Sequence, residues 1–100
     1  MALSSKEAYR MDIEAKLSRY EAKLHELKER AVEKTAEHRV ELDEAIVDLE
    51  KRMSEVRTKI DELRDVADES ARETQTGVEN VWRDLVDTFS HVSSIVRRKS

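Results

Sequence analysis

The chain has 100 residues, of which 42% are charged and 4% aromatic, with a formal net charge of −4. The absence of cysteine excludes disulfides, thiolate metal sites and thiol redox chemistry, and the acidic balance argues against a general nucleic-acid binder, whose surface must neutralise phosphates. With no proline and a single glycine, Gly77, the chain has almost none of the residues that make tight turns, so very long helices are expected.

Taken from the amino terminus, Met1 to Glu7 contains no apolar stretch that could act as a signal peptide, and no window is apolar enough to cross a membrane. A cytoplasmic location is the expectation. Ser4 followed by Glu7 matches the capping box that opens a helix.

From Ile13 onward, steps of 4, 3, 4, 3 and 4 visit Ile13, Leu17, Tyr20, Leu24, Leu27, Ala31, Thr35, His38, Leu42, Ala45, Leu49, Met53, Val56, Ile60 and Leu63. The same steps continue through Ala67, Ala71, Thr74, Val78, Val81, Leu85, Phe89, Val92, Val96 and Lys99. No acidic residue falls on this stripe, and its only basic side chains are His38 and Lys99. High charge and low hydropathy also describe disordered chains. A stripe this regular decides for a helix. Its repeat of 18 residues in five turns is the 3.6-residue period of a straight α-helix, so nearly straight helices with little supercoiling are expected.

The stripe alternates in bulk. Segments 13–27, 49–63 and 85–96 carry large side chains, whereas 31–45 and 67–81 carry mostly Ala, Thr, His and Val. The weak segments are where the chain should open or reverse. Residues 72–77 are the expected reversal, because Gly77 adopts positive φ at little cost and Thr76 with Glu79 forms a second capping box. This gives an all-α chain, a single coiled-coil domain over 1–100. A long straight helix spans about 5–72, and after the 72–77 turn an amphipathic helix of about 78–97 folds back as a hairpin. The alternative is one unbroken helix.

In either arrangement segment 13–27 lacks a partner in its own chain, and helix stability comes mainly from packing an apolar face. Self-association into a dimer or small bundle is therefore expected, along a seam of Ile13, Leu17, Tyr20, Leu24, Leu27, Leu42, Leu49, Met53, Val56, Ile60 and Leu63. His38 on the stripe either sets register or makes the seam pH-sensitive. The carboxyl-terminal helix has a broader apolar face, Val78, Val81, Trp82, Leu85, Val86, Phe89, Val92 and Val96, followed by Arg97-Arg98-Lys99. That face packs into the bundle, binds a protein partner, or docks on an anionic membrane surface with Trp82 and Phe89 inserted.

The residues for chemistry are missing. His25, His38 and His91 have no second histidine or cysteine at ligand spacing, and Ala22, Thr35 and Thr88 stand where a di-iron bundle needs glutamate. His25-Glu26 begins like a zinc-protease motif without the second histidine. Phosphate loops need glycines that are absent. The carboxylate pairs Glu26 with Glu29 and Asp65 with Glu69 have no cleft to shift their pKa values. No enzyme activity, cofactor, metal or small-molecule substrate is expected.

Lys6-Glu7-Ala8-Tyr9, Glu14-Ala15-Lys16-Leu17, Ala22-Lys23-Leu24-His25-Glu26-Leu27-Lys28, Glu62-Leu63-Arg64 and Gly77-Val78-Glu79-Asn80-Val81-Trp82-Arg83-Asp84-Leu85 resemble a family of small bacterial coiled-coil stress-response proteins with apolipoprotein-like amphipathic helices. The resemblance runs along nearly the whole chain, and the Gly-Val-Glu-x-x-Trp-x-x-Leu stretch is its most specific part. Arg72 stands where the family often has an aromatic residue, and the carboxyl-terminal stretch is richer in valine. The resemblance implies a stress-associated helper without catalytic residues.

Overall fold

A computed structural model describes residues 4–98. Helix α1 spans Ser5–Ala31, α2 spans Ala36–Asp65 and α3 spans Ala71–Arg97, with a short 3-10 turn at Asp68–Ser70 before α3. The described residues form no strand. The three helices pack side by side around one apolar core in a body of 52 × 23 × 16 Å. Helices α2 and α3 lie together over the greatest length, and α1 covers both.

The core follows the stripe. Ile13, Leu17, Leu24, Leu27 and Ala31 of α1 are buried, as are Leu42, Leu49, Met53, Val56, Ile60 and Leu63 of α2. Helix α3 adds Ala71, Val78, Leu85, Val92 and Val96, with Ile46 and Ile95 buried beside the stripe. No polar or charged residue is buried among the described residues. The stripe is solvent-exposed only at Thr35 and Ala67, which lie in the two turns; Lys99 falls outside the described residues.

The chain makes two turns where one, at 72–77, was expected. The chain reverses at 32–35 and again at 66–70, so the long helix expected over about 5–72 is two helices. The reversals still fall in the weak segments of the stripe. Folding there brings the three bulky segments together, and burying each large side chain stabilises by roughly 1.5–3 kcal/mol, which a straight isolated helix forgoes. Segment 13–27 consequently has partners in its own chain, contrary to expectation: it packs against α2 and α3 in the common core.

The expected turn at 72–77 is helical. Gly77 has no positive φ and sits inside α3, and the Thr76 hydroxyl donates to the Arg72 carbonyl at 3.1 Å instead of capping a helix start. A lone glycine lowers helix stability by about 1 kcal/mol without forcing a break. Here the packing of α3 on α2 outweighs it. The opening capping box does form in part, with the Glu7 amide donating to Ser4 Oγ at 3.2 Å.

The helix ends are fastened by two lysines. Lys6 Nζ donates to the Val66 carbonyl at 2.8 Å and lies 3.7 Å from Asp68, tying the start of α1 to the second turn. Lys34 Nζ donates to the Arg98 carbonyl at 3.1 Å, and Arg98 Nη1 reaches Glu41 at 3.0 Å, tying the first turn and α2 to the end of α3.

Candidate functional site

The residues expected to form a seam between copies lie together inside one chain. Ten of the eleven are buried, nine of them in the common core with Leu63 buried beyond it, and Tyr20 is half-buried at the edge of that core. The broad face of α3 is also occupied: Val78, Leu85, Val92 and Val96 are buried, while Val81, Trp82, Val86 and Phe89 are half-buried. Its breadth has a structural reason, because α3 contacts both other helices.

His38 is in the first turn of α2, half-exposed, where its Nδ1 shares a 3.0 Å hydrogen bond with the Thr35 hydroxyl. It is a helix-start residue in this arrangement and does not line the core. Thr76 and Gly77 lie within α3, as described.

The most distinctive surface lies along the seam of α1 and α3. Tyr20 stands edge-to-face against Trp82, with centroids 5.2 Å apart, and against Phe89 at 4.9 Å. Lys23 Nζ sits 5.0 Å from the Tyr20 centroid and 5.9 Å from that of Phe89. Lys16, Arg19, Tyr20, Lys23 and Trp82 line an open groove of about 320 Å³ here. Lys16 is partly neutralised by Asp12 at 3.0 Å. Such an arrangement offers π-faces and positive charge together, suited to an anionic amphiphile.

Near the start of the same seam the Tyr9 hydroxyl points at the Gln75 carbonyl at 3.5 Å, the long limit of a hydrogen bond. Burial raises its pKa above the ordinary tyrosine value, and the Glu79 and Asp12 carboxylates add to the rise. The opposite seam, between α1 and α2, carries ion pairs: Glu14 with Arg64 at 3.9 Å, Glu21 with Arg57 at 3.0 Å and Lys28 with Glu50 at 3.2 Å.

Another groove, about 440 Å³, runs along α2 beside Val81 and is lined by Lys51, Ser54, Glu55, Thr58, Lys59 and Glu62. It brings no acid–base or nucleophilic constellation together. Among the described residues no group of three His, Cys, Asp or Glu side chains could hold a metal ion. No helix among them is long and apolar enough to cross a membrane.

Sequence reasoning placed Tyr20 and Phe89 on the stripe and Trp82 on the broader apolar face of α3, but missed the cations beside them. Lys16 and Lys23 flank Tyr20 at i−4 and i+3, a spacing that puts all three on neighbouring helix positions. Which other helix they face depends on the fold. Comparison with protein-family models, curated proteins and solved structures finds no match to this chain.

Proposed function

We propose that this chain is a non-enzymatic helical protein that associates with itself and acts as a scaffold or protective interaction partner. A cytoplasmic, stress-associated role in a bacterial cell is the setting that the resemblance implies. The observation that carries the reading is the apolar stripe, which keeps one helical phase through α1, α2 and α3 and across both turns. Helices with such matched faces pack equally well within a chain and between chains, as coiled-coil segments do. Sedimentation velocity tests it: self-association gives a sedimentation coefficient that rises with concentration across the micromolar range. A strictly monomeric chain over that range removes the reading.

A second reading has its own observation, the aromatic groove rimmed by Lys16, Arg19 and Lys23. In it, α3 and α1 part on an anionic membrane surface, and Trp82 and Phe89 enter the lipid. Trp82 fluorescence then shifts to the blue on adding anionic vesicles. No shift, together with no flotation with those vesicles, eliminates it.

A further inference from the structure

The two turns differ in their backbone. Each is tied by one lysine, Lys34 on the Arg98 carbonyl at the first and Lys6 on the Val66 carbonyl and beside Asp68 at the second, but at the second both Val66 (ψ 154°) and Ala67 (ψ 153°) are extended. The first turn departs far less from a helix. Val32 keeps helical angles (φ −62°, ψ −27°), and the Glu33 and Lys34 amides still bond back to Arg30 and Ala31 at 3.1 and 3.2 Å. Thr35 is extended (φ −64°, ψ 161°), and α2 begins at the next residue.

Nothing in the first turn demands a reversal. Helix ends commonly rely on a glycine or another residue of positive φ, and none occurs here. Val, Glu, Lys and Thr all continue a helix at a cost below about 1 kcal/mol each relative to alanine. Straightened, the segment would carry the stripe from Ala31 through Thr35 and His38 to Leu42 without a change of phase.

We propose that two copies of the chain exchange α1: the 32–35 turn straightens, α1 and α2 run on as one helix from Ser5 to Asp65, and each copy's α1 packs into the place vacated by the other's. This rests on the self-association proposed above and names its partner and geometry. Domain exchange of this kind costs little because the interfaces gained are those lost.

The ion pairs of the α1–α2 seam show that the exchange fits. Glu14 pairs with Arg64, Glu21 with Arg57 and Lys28 with Glu50, and each pair of residue numbers sums to 78. An antiparallel pair of straight helices keeping this register crosses its two-fold axis near residue 39. All three ion pairs then re-form between copies. Arg98 holds the end of α3 level with Glu41 of its own chain. The symmetry places the other copy's α3 end level with residue 37, on the far side of the axis, so the two α3 helices meet end to end without overlapping. His38, half-exposed in the single chain, comes to lie beside the axis.

The experiment uses the full chain, whose lack of cysteine allows two unambiguous spin labels through Ser18→Cys and Asp61→Cys. A doubly labelled chain is diluted into excess unlabelled protein, so only the distance within one chain is read. In the closed form both sites lie within the 23 Å breadth of the bundle, at matching levels of α1 and α2. In the exchanged dimer they are 61 − 18 = 43 residues apart on one helix, about 65 Å at 1.5 Å per residue. The expected result is a 65 Å population that grows with concentration in step with the dimer.

Ala36→Pro sharpens the test. Proline suits the first residue of α2, where the preceding Thr35 is already extended, but it disrupts a helix running through this point. It should leave a helical monomer and weaken the dimer by roughly a hundredfold or more. A dimer with only the short distance overturns the exchange and leaves self-association standing. A chain that stays monomeric overturns both. If Ala36→Pro fails to fold, the distance in the wild-type background still decides.

Discussion

Helix α1 is bound along its two flanks by different chemistry. Towards α2 it presents Glu14, Glu21 and Lys28, each paired with an opposite charge and each partly exposed. Towards α3 it presents Tyr9, Tyr20 and Lys23, which meet Gln75, Trp82 and Phe89. Exposed ion pairs contribute little energy, typically 0.2–1 kcal/mol, but like charges would meet if the helix slipped by a turn. Aromatic contacts bury large areas and add roughly 0.5–1.5 kcal/mol per pair beyond that burial. The ion pairs therefore act mainly on register, while each aromatic contact contributes more energy than an ion pair does.

The largest expected effect comes from breaking the aromatic flank. Tyr20→Ala removes two edge-to-face contacts and the surface beneath Lys23, and should destabilise the fold by about 2–3 kcal/mol in urea unfolding. A loss below about 1 kcal/mol would show that the aromatic flank adds little to the hold of the buried apolar face of α1.

A change on the third seam, between α2 and α3, calibrates the others. A Cβ built on Gly77 meets only the Lys59 side chain, at an ordinary 3.8 Å. Gly77→Ala should therefore stabilise the chain by about 0.5–1 kcal/mol, through helix propensity alone. Destabilisation would mean that α2 and α3 need the glycine for their approach.

On the ion-paired flank, a double-mutant cycle of Glu21→Ala with Arg57→Ala should return a coupling of about 0.2–1 kcal/mol that shrinks in high salt. Its contribution should be to register, so the single variants should barely move the thermal midpoint.

The smallest effect concerns pH. The raised pKa of Tyr9 means that the folded chain keeps its phenolic proton above the pH at which the unfolded chain, near 10, gives it up. This contribution is fully present below about pH 10 and is lost as pH rises through the folded pKa. Tyr9→Phe should abolish that part of the alkaline decline in stability, measured against wild type in the same buffers. An unchanged decline would place the cause elsewhere.

Much of this architecture is legible in the sequence. The 18-residue stripe marks the core nearly residue by residue, because a side chain on one helix face has only one direction in which to be buried. The alternation of bulky and small segments locates the reversals to the weak segments. It does not show that the chain turns in both 31–45 and 67–81, or find the residue at which each turn begins. Gly77 misleads because its freedom is local, whereas the turns at 32–35 and 66–70 contain no residue that requires one. The groove of Lys16, Arg19, Lys23 and Trp82 was illegible for a related reason: its members come from helices 60 or so positions apart in the chain.

Helix content, the apolar face and its phase follow from the sequence alone, since each depends on spacing along a single helix. Where the chain turns, and that segment 13–27 is covered by its own α2 and α3, was decided by tertiary structure. The physical reason is that the stripe is nearly neutral about its partner. One continuous apolar face satisfies a straight helix, a folded bundle or an exchanged pair, and the burial of three bulky segments against one another disfavours the isolated straight helix.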